Sequence, residues 1–125
     1  MLYAIGWRVV IRVKQYRIEI TDLTEKDLEE AGDYIAYELS NPKAALDTVQ
    51  GIRAQINKLE CFPERNELDE DPILAAFGVR MDCYRNYKIY YVTDNEKSIV
   101  YIIRILHMLV DSRTWLYRTF RIIEE

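Results

Sequence analysis

A chain of 125 residues, half of them hydrophobic and 30% charged, is the size of one domain and has an ordinary composition for one. No apolar run approaches the roughly 20 residues that a membrane-spanning helix needs. Residues 1–12 show no basic stretch leading into an apolar one. Neither a membrane span nor a signal peptide is therefore expected, and a cytoplasmic location is. Two cysteines, Cys61 and Cys83, and a single histidine, His107, make no metal-ligand set. The thiols are read as reduced, and no metal or cofactor is expected.

In chain order, residues 15–21 (QYRIEIT) alternate as a strand does, with Tyr16, Ile18 and Ile20 on one face. Thr24 is a candidate helix cap with Asp27 three residues on, and Leu28, Ala31, Ile35 and Leu39 follow at helical spacing. Ser40-Asn41-Pro42 ends that helix and starts another, because Asn41 suits an N-cap and Pro42 the first helical position. Ala45, Val49, Ile52, Ile56 and Leu59 form the second apolar stripe. Gly51 costs this helix some stability but leaves room for close packing. The short joint predicts an antiparallel αα-hairpin. Cys61-Phe62-Pro63 ends it, and residues 63–77, with five carboxylates, Pro63 and Pro72, read as a loop with one turn near Ile73 to Phe77.

The period then changes to two. Residues 79–84 alternate, Arg85-Asn86 makes a turn, residues 87–93 (YKIYYVT) are rich in β-formers, and residues 94–97 make a second hairpin loop. Residues 98–106 (SIVYIIRIL) are apolar on both faces, as in a central strand covered on both sides. A last helix is predicted from Arg113 to about Ile122. The expected fold class is α+β: an N-terminal strand, an αα-hairpin, a three-stranded antiparallel meander and a short C-terminal helix. Helices on one face would leave the other face of the sheet for a ligand. Residues 19–71 hold fifteen carboxylates against five Lys and Arg, whereas residues 78–113 hold six Lys and Arg against four carboxylates. An acidic helical part beside a mildly basic sheet can put an anion-binding face on the sheet.

Two segments carry a family resemblance: DLEEAGDYIAYELSNPKAALDTVQGIRAQINKLECFPER (residues 27–65) and YRNYKIYYVTDNEKSIVYIIRILH (residues 84–107). In this order and spacing they resemble the RelE/ParE (plasmid stabilisation) superfamily of toxins from type II toxin–antitoxin systems. The resemblance covers residues 15–117 and implies a single toxin domain over residues 15–125 with a cognate antitoxin as partner. It implies one of two bacterial targets. RNA-cleaving members act as mRNA interferases at the ribosome without a metal, and growth inhibition by that route is the first expectation. Other members poison DNA gyrase without catalysis, and a degenerate toxin that only binds its antitoxin is a third reading.

Metal-free RNA cleavage needs a group for proton transfer and cations where charge develops on phosphorus. On the family's pattern His107 supplies the imidazole, and Arg104 and Lys88 are the cations of the last and middle strands. Arg80, Arg85, Tyr87 and Tyr91 would bind RNA, the tyrosines by stacking or hydrogen bonding. Plainer readings stand beside these. His107 can be a strand-end histidine bound to backbone, Arg104 a buried ion pair with Asp111 or Asp82, Lys88 a solvent-facing strand residue, and the tyrosines core. After His107 the chain runs Met108-Leu109-Val110-Asp111 where many relatives carry a basic pair. That departure, and a pI near 5.1, weigh against binding a polyphosphate.

Residues 1–14 have no counterpart in the resemblance and are read as an N-terminal extension. Ile5, Trp7, Val9 and Ile11 alternate with Gly6, Arg8, Val10 and Arg12, which would suit an extra strand with Trp7 buried. Val13 is a residue whose codons include an alternative bacterial start, and the expectation taken is that the natural product begins there.

Overall fold

The computed structural model describes residues 2–5, 8–11 and 13–123. Leu2–Ile5 (β1) pairs antiparallel with Arg8–Ile11 (β2) in a sheet of their own. The alternation before residue 13 therefore resolves into two short arms rather than one strand, and Trp7 lies outside the described residues. Arg17–Ile20 (β3) follows, then Asp22–Asp33 (α1).

The cap of α1 is Thr21, whose hydroxyl accepts from the Thr24 N–H, three residues earlier than the sequence suggested. Thr24 and Asp27 are both buried, and their polar atoms serve the sheet edge instead of the helix end. Residues Tyr34–Glu38 then widen into a π-helical turn, with the Leu39 N–H bonded five residues back to Tyr34. The wider turn takes Leu39 out of the apolar stripe predicted for it and leaves it exposed. Pro42–Asn57 (α2) starts as its sequence requires, with Asn41 accepting from the Ala44 N–H and Pro42 in the first turn. Gly51 permits a close approach, because a Cβ there would overlap the ring and hydroxyl of Tyr84.

Pro72–Ala76 (α3) is the short turn expected in the loop, capped by Asp71. Arg80–Tyr84 (β4), Tyr87–Asp94 (β5) and Ile99–His107 (β6) form the meander, and Ser112–Phe120 (α4) follows. The sheet order is β3-β6-β5-β4, with β3 parallel to β6 and the other pairs antiparallel. β6 is thus central, as its two-sided apolar pattern predicts.

The sheet has a core on each face. Leu28, Ile35, Ile52 and Ile56 of the hairpin pack on Ile89, Tyr91, Val100 and Ile102. On the opposite face Leu74, Leu116 and Tyr117 pack on Tyr90, Ile103 and Leu106. The second face is therefore not left open for a ligand, which corrects the sequence reading. α4 is short, but its Leu116-Tyr117 pair and the following Phe120 have enough apolar surface to close on that face. Among the described residues no helix is long and apolar enough to cross a membrane.

Candidate functional site at the open end of strand β6

β3 lies beside β6 only over Ile99–Ile102. There the chain turns into α1, and side chains from its first turns take over the strand edge. The hydroxyls of Thr21 and Thr24 both donate to the Ile102 carbonyl, at 2.9 and 2.7 Å. One turn on, the Asp27 carboxylate accepts the Ile105 N–H at 2.9 Å. A buried edge N–H needs a partner, and here a carboxylate stands in for the missing strand.

The same carboxylate holds Arg104. Tyr90 pairs with Arg104 but Tyr91 with Ile102, so Ile103 is an extra residue that makes a bulge. The bulge re-aims Arg104 across the strand edge. Its Nε and Nη2 donate to the two oxygens of Asp27 at 2.8 and 2.7 Å, in a buried pair with side chains 10% and 7% exposed. Its Nη1 reaches the Thr119 hydroxyl at 3.3 Å, and the guanidinium lies 5.3 Å from the Trp115 ring centre. The ion pair weighed for Arg104 is real, but its partner is neither Asp82 nor Asp111. Asp82 meets Arg65 at 3.5 Å, and Asp111 caps α4 through Thr114.

His107 pairs with Tyr87 across the meander, and their rings meet edge to face at 5.3 Å. Its Nδ1 accepts the Leu109 N–H at 3.1 Å, which leaves Nε2 as the nitrogen able to meet a ligand. Lys88 stands one residue along β5, paired with Leu106, with its ammonium 5.9 Å from the Tyr90 ring centre. Side chains alternate along a strand, so Lys88 shares the α4 face with Tyr90 while His107 shares the hairpin face with Tyr87.

The RNA-binding candidates are scattered. Arg80 donates to the carbonyls of Asn66 and Glu64 in the loop after α2. Arg85 sits in the left-handed turn between β4 and β5, over the ring of Tyr84. Tyr87 is nearly buried, and burial pushes its phenol up. Tyr91 is fully buried; its hydroxyl donates to the Pro63 carbonyl and accepts from Asn66. Burial raises its pKa against the smaller opposing effect of Asn66.

Arg104 and His107 thus share one hollow with Tyr87, whereas Lys88, Arg80, Arg85 and Tyr91 lie elsewhere. The hollow is a cavity of about 630 Å³ between α1 and the end of β6, walled by Leu23, Ala31, Tyr34, Leu109 and Trp115. The sequence reading gives Asp27 a place only in the helix cap and misses its place in this site. The available signal was its phase: Thr24, Asp27, Leu28, Ala31 and Ile35 share one helix face, so a charged residue occupies an inward position.

Solved structures of toxin–antitoxin systems resemble this fold. The chromosomal ParDE toxin–antitoxin system from P. aeruginosa aligns with a TM-score of 0.63 at 21% identity, over 75% of this chain and 97% of that one. The toxin–antitoxin complex RelBE2 from Mycobacterium tuberculosis aligns at 0.51 and 20%, over 74% and 98%. A double arginine-to-alanine mutant of the E. coli toxin RelE in the free state aligns at 0.58 and 16%, over 87% and 99%. No curated protein sequence matches the chain. Residues 18–111 match the family described as ParE toxin of type II toxin-antitoxin system, parDE, and the chain belongs to that family. It is the toxin of a type II toxin–antitoxin system.

Proposed function

We propose that this toxin is held by a cognate antitoxin and, when released, arrests growth by binding DNA gyrase rather than by cutting mRNA on the ribosome. One observation carries the reading: the three groups that the nuclease pattern would bring to one phosphate do not converge. Arg104 is engaged by Asp27 through both carboxylate oxygens. Lys88 and His107 occupy opposite faces of the sheet. In-line cleavage needs its acid, base and cations within hydrogen-bond reach of one reacting group. The net charge of −4 adds no steering toward RNA.

Two assays on the purified chain test this. Inhibited supercoiling by gyrase, with intact message in cell-free translation followed by primer extension, is the expected pair of results. Cut message with normal supercoiling would replace this reading by the nuclease one. Folded His107→Ala and Lys88→Ala variants are expected to arrest growth as the unaltered chain does, and loss of arrest in both would overturn the non-catalytic reading.

A further inference from the structure

We infer that Phe62 and the hollow beside it form a self-complementary patch through which two copies of this chain pair about a two-fold axis. Such pairing is independent of the target that the toxin binds. Backbone strain, shape and charge at this turn support it.

Phe62 is held in an unfavourable backbone. It is left-handed, at φ 51° and ψ 52°, a region that a bulky residue rarely adopts. Pro63 follows, and a residue before proline favours extended backbone. Nor does Phe62 cap a helix end, because Cys61 before it is extended and bridges to Gln15. Side chains tie the turn in place on both sides. Arg65 donates to the Lys58 and Cys61 carbonyls at 3.0 Å each. The buried Tyr91 donates to the Pro63 carbonyl, and Arg80 to the carbonyls of Glu64 and Asn66. The outcome of all these bonds is a phenyl ring that is 66% exposed and belongs to neither core. Strain that its surroundings over-determine in this way marks a working position.

The shape suits a second copy. A hollow of about 470 Å³ lies beside the ring, lined by Val13, Lys14, Tyr16, Pro63, Glu64 and Arg65. A knob next to a hole on one surface is what an isologous contact needs. Each copy's Phe62 enters the other's hollow, and the two-fold closes the assembly at two chains. An aromatic side chain seated in a pocket and ringed by polar groups is a common anchor of such contacts.

The charge suits it too. Lys14 and Glu64 are both anchored on Asn95. The Lys14 ammonium donates to the Asn95 carbonyl at 2.8 Å, and the Asn95 amide donates to Glu64 Oε1 at 2.7 Å. Neither has an ion-pair partner among the described residues. One cation and one carboxylate fixed beside the same knob are their own complement under a two-fold rotation, with Lys14 of each copy facing Glu64 of the other. A polyanion would meet Glu64, and a basic partner would meet Lys14 and Arg65, so a second copy is the occupant that leaves no like charges opposed.

The test is the mass of the purified full chain in solution, by sedimentation across a concentration series. A reversible rise from one chain to two is expected. Phe62→Gly suits the left-handed backbone and removes the knob, so it is expected to weaken association by about tenfold or more without lowering the melting temperature. Phe62→Asn, a polar residue that tolerates this backbone region, is expected to do the same. Lys14→Glu and Glu64→Lys are each expected to weaken the dimer, because each opposes like charges. Mixed together, these two variants are expected to associate, because the mixture restores both ion pairs. A chain that stays single at every concentration, a dimer that Phe62→Gly leaves intact, or charge variants that do not pair on mixing overturns the proposal. A melting temperature that falls in both Phe62 variants overturns it as well, since the ring would then be packing within one chain.

Discussion

Among the described residues α1 makes two arginine–carboxylate pairs of nearly the same geometry, two residues apart on the helix. Asp27 receives two hydrogen bonds from Arg104, at 2.8 and 2.7 Å, and Glu25 receives two from Arg53, at 3.1 and 2.8 Å. They differ in their surroundings. The Arg104–Asp27 side chains are 10% and 7% exposed, whereas those of Arg53 and Glu25 are 43% and 49% exposed. Geometry alone would make them equivalents. Burial makes the first a fixture of the fold and the second a weak surface contact, because a partner lost in the interior leaves an unsolvated charge. The inner pair also does two jobs, since Asp27 seals the β6 edge through Ile105. A third pair, Arg113 with Asp71, is intermediate at 54% and 13%.

The largest expected effect comes from breaking one half of the inner pair. Arg104→Ala leaves the Asp27 carboxylate buried with only the Ile105 N–H, and is expected to cost about 3–5 kcal/mol. Asp27→Ala strands the guanidinium and is expected to cost as much. The double variant Asp27→Ala with Arg104→Ala is expected to lose less than the sum of the two, because neither charge then remains. Urea unfolding of the four proteins measures the cycle. Additive losses would mean that the two side chains contribute separately and that burial is not what distinguishes this pair.

A second test exploits the intermediate pair. Burial raises the Asp71 carboxyl, but Arg113, the Tyr117 hydroxyl and the N–H groups of Leu74 and Ile73 outweigh it and bring the group from 3.8 to about 2. A folded value below the unfolded one means that the contribution is complete above about pH 4. It is lost as pH falls through about 2. Asp71 links α3 to α4, so α4 is expected to loosen in that window before the hairpin face does. Amide exchange at Leu116 against that at Ile52, followed from pH 5 to pH 2, reads the difference. Simultaneous loss at both sites would show that Asp71 does not act on α4 alone.

Much of this was legible in the chain. The two-sided apolar pattern of residues 98–106 placed β6 at the centre, and Asn41-Pro42 fixed the start of α2. What was hidden is what depends on distant partners. Asp27 and Arg104 lie 77 residues apart, so nothing local identifies either as the other's partner. The bulge at Ile103 leaves no mark in an apolar run, since Ile102, Ile103 and Ile105 all look alike. The π turn at Tyr34–Glu38 inserts its shift inside a good helical pattern, which is why Leu39 was misplaced. The covering of the second face by α4 depends on three side chains in a nine-residue helix, too short for its periodicity to show which face it would seek. The scattering of Lys88, Arg80, Arg85 and Tyr91 follows from strand alternation and register, which the family pattern alone does not supply.

The smallest expected effect belongs to the outer pair, and it sharpens the comparison most. The Arg53 bond holds the Glu25 carboxyl below its usual range, and Glu25 in turn raises Arg53. Because the folded value of Glu25 is depressed, its contribution is present above pH 4.5 and fades as pH falls through the lowered value. Both side chains remain in water, so solvent and salt screen them, over about 8 Å at physiological ionic strength. Arg53→Ala is therefore expected to change stability by no more than about 0.5 kcal/mol. That small loss is expected to shrink further between 0.05 and 0.5 M salt, while the loss for Arg104→Ala stays constant. Thermal unfolding of both variants across that salt range makes the measurement. If Arg53→Ala costs as much as Arg104→Ala, and does so independently of salt, geometry outranks burial in these pairs and Asp27 loses its special standing at the β6 edge.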